Sequence, residues 1–142
     1  MEKQLIYERM AAIMADIKAV GKDQKNRDQG FQFRGIDDIY EAVHAVLAKH
    51  QVFTTSRIVD ARRYEGQTKN GTAFVDSELI IEWTFWTVDG SSVKSETVGV
   101  GRDYADKYAS KAHAIAHKYL FVQAFAIPTN EPDNDPDAST IE

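Results

Sequence analysis

The sequence predicts an α+β domain: two N-terminal helices, a three-stranded antiparallel meander, and a long C-terminal helix packed on the sheet. Three observations lead there. Apolar residues recur at helical spacing through the N-terminal third. The middle of the chain changes to β-branched and alternating patterns punctuated by Asn70-Gly71 and Asp89-Gly90. An alanine-rich helical pattern then runs on and ends before Pro128. Strands gathered in one run and followed by a helix disfavour parallel βαβ units, which would interleave the two.

Leu5, Ile6, Met10, Ile13, Met14, Ile17 and Val20 define the first helix, with Gly21 as its expected stop. Residues 21–35 read as a loop carrying Phe31 and Phe33 among Gly, Asn, Asp and basic residues. Ile36, Ile39, Tyr40, Val43, Val46 and Leu47 define the second helix, with Asp38 and Glu41 spaced as a capping box or Asp37 as the alternative cap. The β-branched run VFTTSRIVDARRY follows as a strand, and Asn70-Gly71 marks a hairpin turn. From Thr72 to Val88 the odd positions Val75, Leu79, Ile81, Trp83 and Phe85 are apolar, while Asp76, Glu78, Glu82 and Thr84 take even ones. That is the alternation of a half-buried antiparallel strand with its odd face in the core. Asp89-Gly90 turns the chain into a third, shorter strand, SSVKSETVGV, and a helix is expected from Asp103 to Phe125.

A chain of 142 residues is sized for one domain, here residues 1–130, followed by an acidic tail over 131–142 whose Pro, Asp and Asn content predicts disorder. The net charge of −5 resides in that tail. No Lys or Arg follows Lys118, whereas Glu131, Asp133, Asp135, Asp137 and Glu142 do, so the body holds 17 bases against 22 − 5 = 17 acids. The acidic total therefore does not exclude an anionic partner. Cysteine is absent, which removes disulfides and thiolate metal sites, and no apolar run is long enough for a membrane span or signal peptide. A soluble, cytoplasmic protein without cofactor or metal is the expectation.

Two segments carry candidate binding chemistry. Lys18, Lys22, Lys25, Arg27 and Arg34 face only Asp23 and Asp28, which makes a local basic patch, or a solvated loop. On the last helix Lys107, Lys111 and Lys118 fall within about 40° of one another, with Ala105, Ala109, Ala112, Ala116 and Leu120 roughly opposite. The alanines would let the helix approach the sheet, and the lysines would form a stripe able to follow a phosphate backbone, or simply a solvated face. Tyr104 lies near the stripe, and Gly99 and Gly101 are placed where backbone N–H groups could hold a phosphate. Enzyme chemistry finds less support. Asp76, Glu78, Glu82 and Lys94 could be imagined as a nuclease site, but alternating acids are ordinary on a solvent-facing strand. His113 and His117, four apart, lack the glutamate of a zinc hydrolase motif and read as surface histidines; no phosphate-binding loop is present.

Two blocks, FQFRGIDDIYEAVHAVLAKHQVF (31–53) and DKYASKAHAIAHKYLFVQAFAIPTNEPD (106–133), resemble the ERF family of phage recombination proteins; with the strands between them the similarity spans about residues 5–137. The resemblance implies ATP-independent binding of single-stranded DNA, annealing of complementary strands by a homo-oligomeric ring or filament, and a β-β-β-α core akin to eukaryotic strand-annealing recombinases. No cofactor is implied. The family's first motif falls on Phe31, Phe33, Arg34, Asp37, Asp38 and Tyr40, and its second on Asp106, Lys107, Lys111, Lys118 and Tyr119. Lys107, Lys111, Lys118 and Arg102 are then the expected backbone-holding residues, with Arg34, Lys25 and Arg27 extending the track and Phe31, Phe33 or Tyr104 stacking on bases. Many members continue past the acidic stretch, and recruitment of a host single-strand-binding protein, if it belongs to that further region, does not transfer. The alternatives are an oligomeric interaction scaffold without annealing activity and, third, the metal-dependent nuclease.

Overall fold

The computed structural model describes residues 4–24 and 36–127, and six elements follow along the chain. They are α1 (Leu5–Gln24), α2 (Ile36–Lys49), β1 (Phe53–Gln67), β2 (Ala73–Trp86), β3 (Ser92–Asp103) and α3 (Tyr108–Ala124). The strands form one antiparallel sheet in the order β1-β2-β3. Each hairpin turn is made by the expected dipeptide. Gly71 (φ 83°) and Gly90 (φ 84°) occupy the left-handed region that a side chain resists, and their N–H groups donate to Thr68 and Thr87 carbonyls at 2.9 and 3.0 Å.

The alternation along β2 sorts the two faces. Leu79, Ile81, Trp83 and Phe85 are buried beneath the helices, whereas Asp76, Glu78 and Glu82 lie on the opposite, open face. α1 supplies Ile6, Ile13 and Ile17 to the same core, α2 supplies Ile39, Val43 and Val46, and Leu120, Phe121 and Phe125 close it from the C-terminal side. α3 lies against β3 and β2 with Ala112 and Ala116 inward. Its approach is too close for a side chain beneath it. A Cβ built on Gly99 would meet the Ala112 carbonyl oxygen at 1.9 Å, and one on Gly101 the Ala112 nitrogen at 2.5 Å.

The second turn also caps α1. The Asp89 carboxylate accepts from the Leu5 N–H at 3.2 Å, and the Ser91 hydroxyl oxygen accepts from the Ile6 N–H at 3.0 Å. These are helix-start donors with no partner inside the helix, satisfied here by residues far along the chain. Hydrogen bonds from the Ser91 and Thr87 hydroxyls, then from the Ser91 and Leu5 N–H groups, hold the Asp89 carboxyl well below the usual carboxylate range.

The boundaries depart from expectation in three places. α1 continues through Gly21 to Gln24, since one glycine weakens a helix by only ~1 kcal/mol. Asp37 and Asp38 sit within the first turn of α2, where they complement the helix dipole rather than precede it as caps. β3 is not short. It runs through both glycines to Asp103, so α3 begins at Tyr108 instead of Asp103. The basic loop with Lys25, Arg27, Phe31, Phe33 and Arg34, and the acidic tail over 131–142, lie outside the described residues.

Candidate nucleic-acid interface

The described candidates gather where β3 leaves the sheet and the chain turns into α3. Residues 103–107 are organised by Asp103. Its carboxylate accepts from the Ala105 and Lys107 N–H groups at 3.1 and 2.9 Å and from Lys111 Nζ at 2.7 Å. The Lys111 ammonium first, and then these amides, hold its carboxyl down to about 2. Lys111 also donates to the Arg102 carbonyl at 3.1 Å, so it staples the start of α3 to the end of β3.

Arg102 is equally committed. Its Nε and second terminal nitrogen donate to the two carboxylate oxygens of Asp76 at 2.7 and 2.9 Å, a bidentate pair across the β2–β3 ladder. The guanidinium carbon stands 3.8 Å from the centre of the Phe74 ring. Asp76 raises the Arg102 pKa further above its ordinary value, so the charge is permanent. Phe74 in turn lies across Gly66, and Tyr104 meets it edge-on at 6.4 Å. A groove of about 520 Å³ opens beside these rings, between Gly66, Gln67 and Phe74 on the first hairpin and Tyr104 and Ala105 on the following loop. Tyr104 is 59% exposed at its rim.

Lys107 is exposed and has no side-chain partner among the described residues. Next to it, Tyr108 lies beneath Arg63 of β1, whose guanidinium carbon is 5.2 Å from the ring centre. At this corner Lys111 and the Arg63–Tyr108 pair belong to the helix side of the sheet, Arg102 with Phe74 and Asp76 belongs to the open side, and exposed Lys107 and Tyr104 lie on the turn between β3 and α3. Asp76, Asp103 and Glu65 offset three of the four charges.

Lys118 does not share the exposed side with Lys107 and Lys111. It is 5% exposed, in a helix whose buried residues also include Ile115, Leu120 and Phe121. The physical reason is that α3 is covered on more than one side, by the sheet and by α2, so a shared angle on the helix does not mean shared solvent. Lys107 itself precedes the helix, at its N-cap position. Gly99 and Gly101 are also corrected: their missing side chains admit the backbone of α3, which occupies the space a phosphate would need on that face.

His113 and His117 are half-buried rather than freely exposed. His117 stacks on Trp83 at 4.7 Å and 10°, and lies 4.8 Å from Tyr40 and 4.5 Å from Phe121. Burial, with a smaller contribution from His113, lowers its pKa to about 4, so it is neutral at physiological pH. Of the imagined nuclease acids, Asp76 is bound to Arg102, and Glu82 lies between Arg57 and Lys94 at 3.6 and 3.7 Å. Among the described residues no group of three or more His, Cys, Asp or Glu is placed to hold a metal ion.

Phe74, Arg63 and the partner acids Asp76 and Asp103 were not among the residues expected to bind DNA, Asp76 having been weighed only as a nuclease acid. One signal was available for Asp76. Counting outward from an Asp89-Gly90 turn pairs position 76 with position 103, one residue from the observed Arg102, because the turn takes in Val88 as well. No spacing rule points to Arg63, which reaches Tyr108 only through the packing of α3 on the sheet. No described helix is long and apolar enough to cross a membrane.

Compared with protein families, the chain matches the model described as ERF superfamily over residues 6–142. No curated protein and no solved structure matches it significantly.

Proposed function

The chain belongs to the ERF superfamily, and on that premise we propose that it binds single-stranded DNA and anneals complementary strands without ATP, as a homo-oligomer. Membership supports phage-type single-strand annealing recombination in general terms. The finer reading rests on the corner between β3 and α3, where exposed Lys107 and Tyr104 stand beside cations already held in fixed positions by Lys111–Asp103 and Arg102–Asp76.

Annealing makes and breaks no covalent bond in the DNA. It requires neutralised phosphates and bases left free to pair. Lys107 supplies a direct phosphate contact, and Lys111 and Arg102 lie ready to exchange part of their carboxylate pairing for phosphate oxygens. Tyr104, at the rim of the groove, offers a stacking surface. Because the corner is close to neutral, one copy holds a strand weakly. Useful affinity comes from many copies along one strand, each adding its contacts at high effective concentration. Catalytic residues have no part in this scheme.

The test is a strand-annealing assay with complementary fluorescent oligonucleotides, free of nucleotide and metal. Faster pairing with protein than without is expected. Absence of acceleration, in a protein that remains oligomeric, would favour the interaction-scaffold reading, to which the near-neutral corner lends some weight.

A further inference from the structure

β1 is exposed along nearly its whole length on both faces, although it is the longest strand, at 15 residues. On the helix-side face Ile58 pairs with Ile81 and Ala61 with Leu79. Directly opposed residues share a face, so the apolar rows under α3 continue onto β1. The cover does not continue. Ile81 is fully buried and Leu79 is 5% exposed, while Ile58 beside them is 55% exposed. α3 rests mainly on β3 and β2, and its Tyr108 meets β1 at Arg63 rather than over Ile58. Val59 and Tyr64 are also exposed, at 44% and 53%. In the described sheet neither β1 nor β3 has a second strand neighbour.

We propose that β1 is a copy-to-copy interface, its outer edge pairing with the outer edge of β3 in a second copy so that the sheet passes from one chain to the next. A long free edge is a template for another strand; this one has no lysine or proline, and its charges, Arg57, Asp60, Arg62, Arg63 and Glu65, are of both signs, although the register shift after Ile58 kinks it locally. Two arguments select β3 over a second β1. First, β3 carries α3 on its helix-side face. Adjacent strands lie ~4.8 Å apart, so a neighbouring β3 brings a helix beside the uncovered Ile58–Ala61 strip, whereas a neighbouring β1 is as bare as the first. Second, joining two β1 strands would set six arginines against four carboxylates, counting Arg57, Arg62 and Arg63 with Asp60 and Glu65 twice; β3 contributes Lys94 and Arg102 balanced by Glu96 and Asp103. Pairing unlike edges is head-to-tail, and it propagates to a ring or filament rather than ending at a dimer.

The inference extends the multivalent reading above, and its test uses no DNA, so either can fail alone. Sedimentation of the full chain should show a species larger than the monomer. Ile58→Asp should shift it to monomer with its circular dichroism retained, while Val88→Asp, at a 72% exposed residue on the far turn, should leave the assembly intact. The absence of cysteine allows a second measurement that does not rely on a destabilising change. A short bismaleimide should join Val59→Cys protein to Val98→Cys protein in a mixture, and should not join Val59→Cys protein to itself. A monomeric wild-type chain, unchanged assembly in Ile58→Asp, or cross-links confined to two Val59→Cys chains would each overturn the proposal.

Discussion

Gly99→Ala tests whether the glycines of β3 serve packing or phosphate. The added methyl would stand 1.9 Å from the Ala112 carbonyl oxygen, where ordinary contact begins at 3.4 Å, so α3 must retreat by about 3.4 − 1.9 = 1.5 Å. The obstacle is helix backbone, which cannot rotate aside, and Ala116 adds two more contacts at 2.7 and 2.9 Å. Inserting a methyl into a tight interior typically costs ~1–3 kcal/mol, and a backbone obstacle places this one near ~3 kcal/mol. For a domain of this size that lowers the melting temperature by roughly 10 °C, readable by thermal denaturation followed at 222 nm. Gly66→Ala is the internal control. Its methyl meets the Phe74 ring, a side chain able to tilt, and its cost should stay within ~1 kcal/mol. A Gly99→Ala protein with wild-type melting and weakened single-strand binding would refute the packing argument and return the backbone amides of β3 to the phosphate.

Three further outcomes are expected. Lys107→Ala combined with Lys111→Ala should weaken single-strand binding and flatten the slope of log affinity against log salt by about 1.4, at ~0.7 per lost phosphate contact, in fluorescence anisotropy titrations across a salt series. Truncation after Asn130 removes five acids and should tighten binding at low salt, with the difference fading near ~0.5 M; equal affinities at all salts would mark the tail as passive. Stability should fall with acidification between pH 6.5 and about 4, because His117 binds its proton more readily in the unfolded chain than in the stack on Trp83. The gap between those values sets a ceiling of ~3 kcal/mol, reduced to ~1–2 kcal/mol by partial solvent access, and His117→Phe should remove that slope in urea melts while leaving the loss below pH 4, where Asp103 and Asp89 take up protons in the unfolded chain before the folded one.

The meander was legible because its signals are local. Alternation from Val75 to Phe85 and the turns at Gly71 and Gly90 depend on neighbours in the chain, and they determine both faces of β2 and, to within one residue, its register with β3. The start of α3 was less so. Gly99 and Gly101 read as the end of a strand, yet their function in packing is to continue it beneath a helix, and that appears only when the helix is in place. Lys118 shows the limit of helical angles. Its angle agrees with Lys107 and Lys111, but how many sides of a helix are covered is a tertiary property, and here α2 and the sheet cover more than one. In the same way Arg102 was expected at the site from its charge, while its pairing with Asp76 and its stacking on Phe74 are set by cross-strand neighbours.

The bonds from the second turn to the start of α1 have a consequence for biosynthesis. The Leu5 and Ile6 amides find their acceptors 84 and 85 residues downstream. A lone helix of this length is marginal in water, so as the chain leaves the ribosome its first segment stays unfinished until the hairpin around Asp89 and Ser91 has emerged. α1, made before that hairpin, is therefore secured late, and the loop closed between Leu5 and Asp89 makes the domain assemble as one cooperative unit rather than helix by helix.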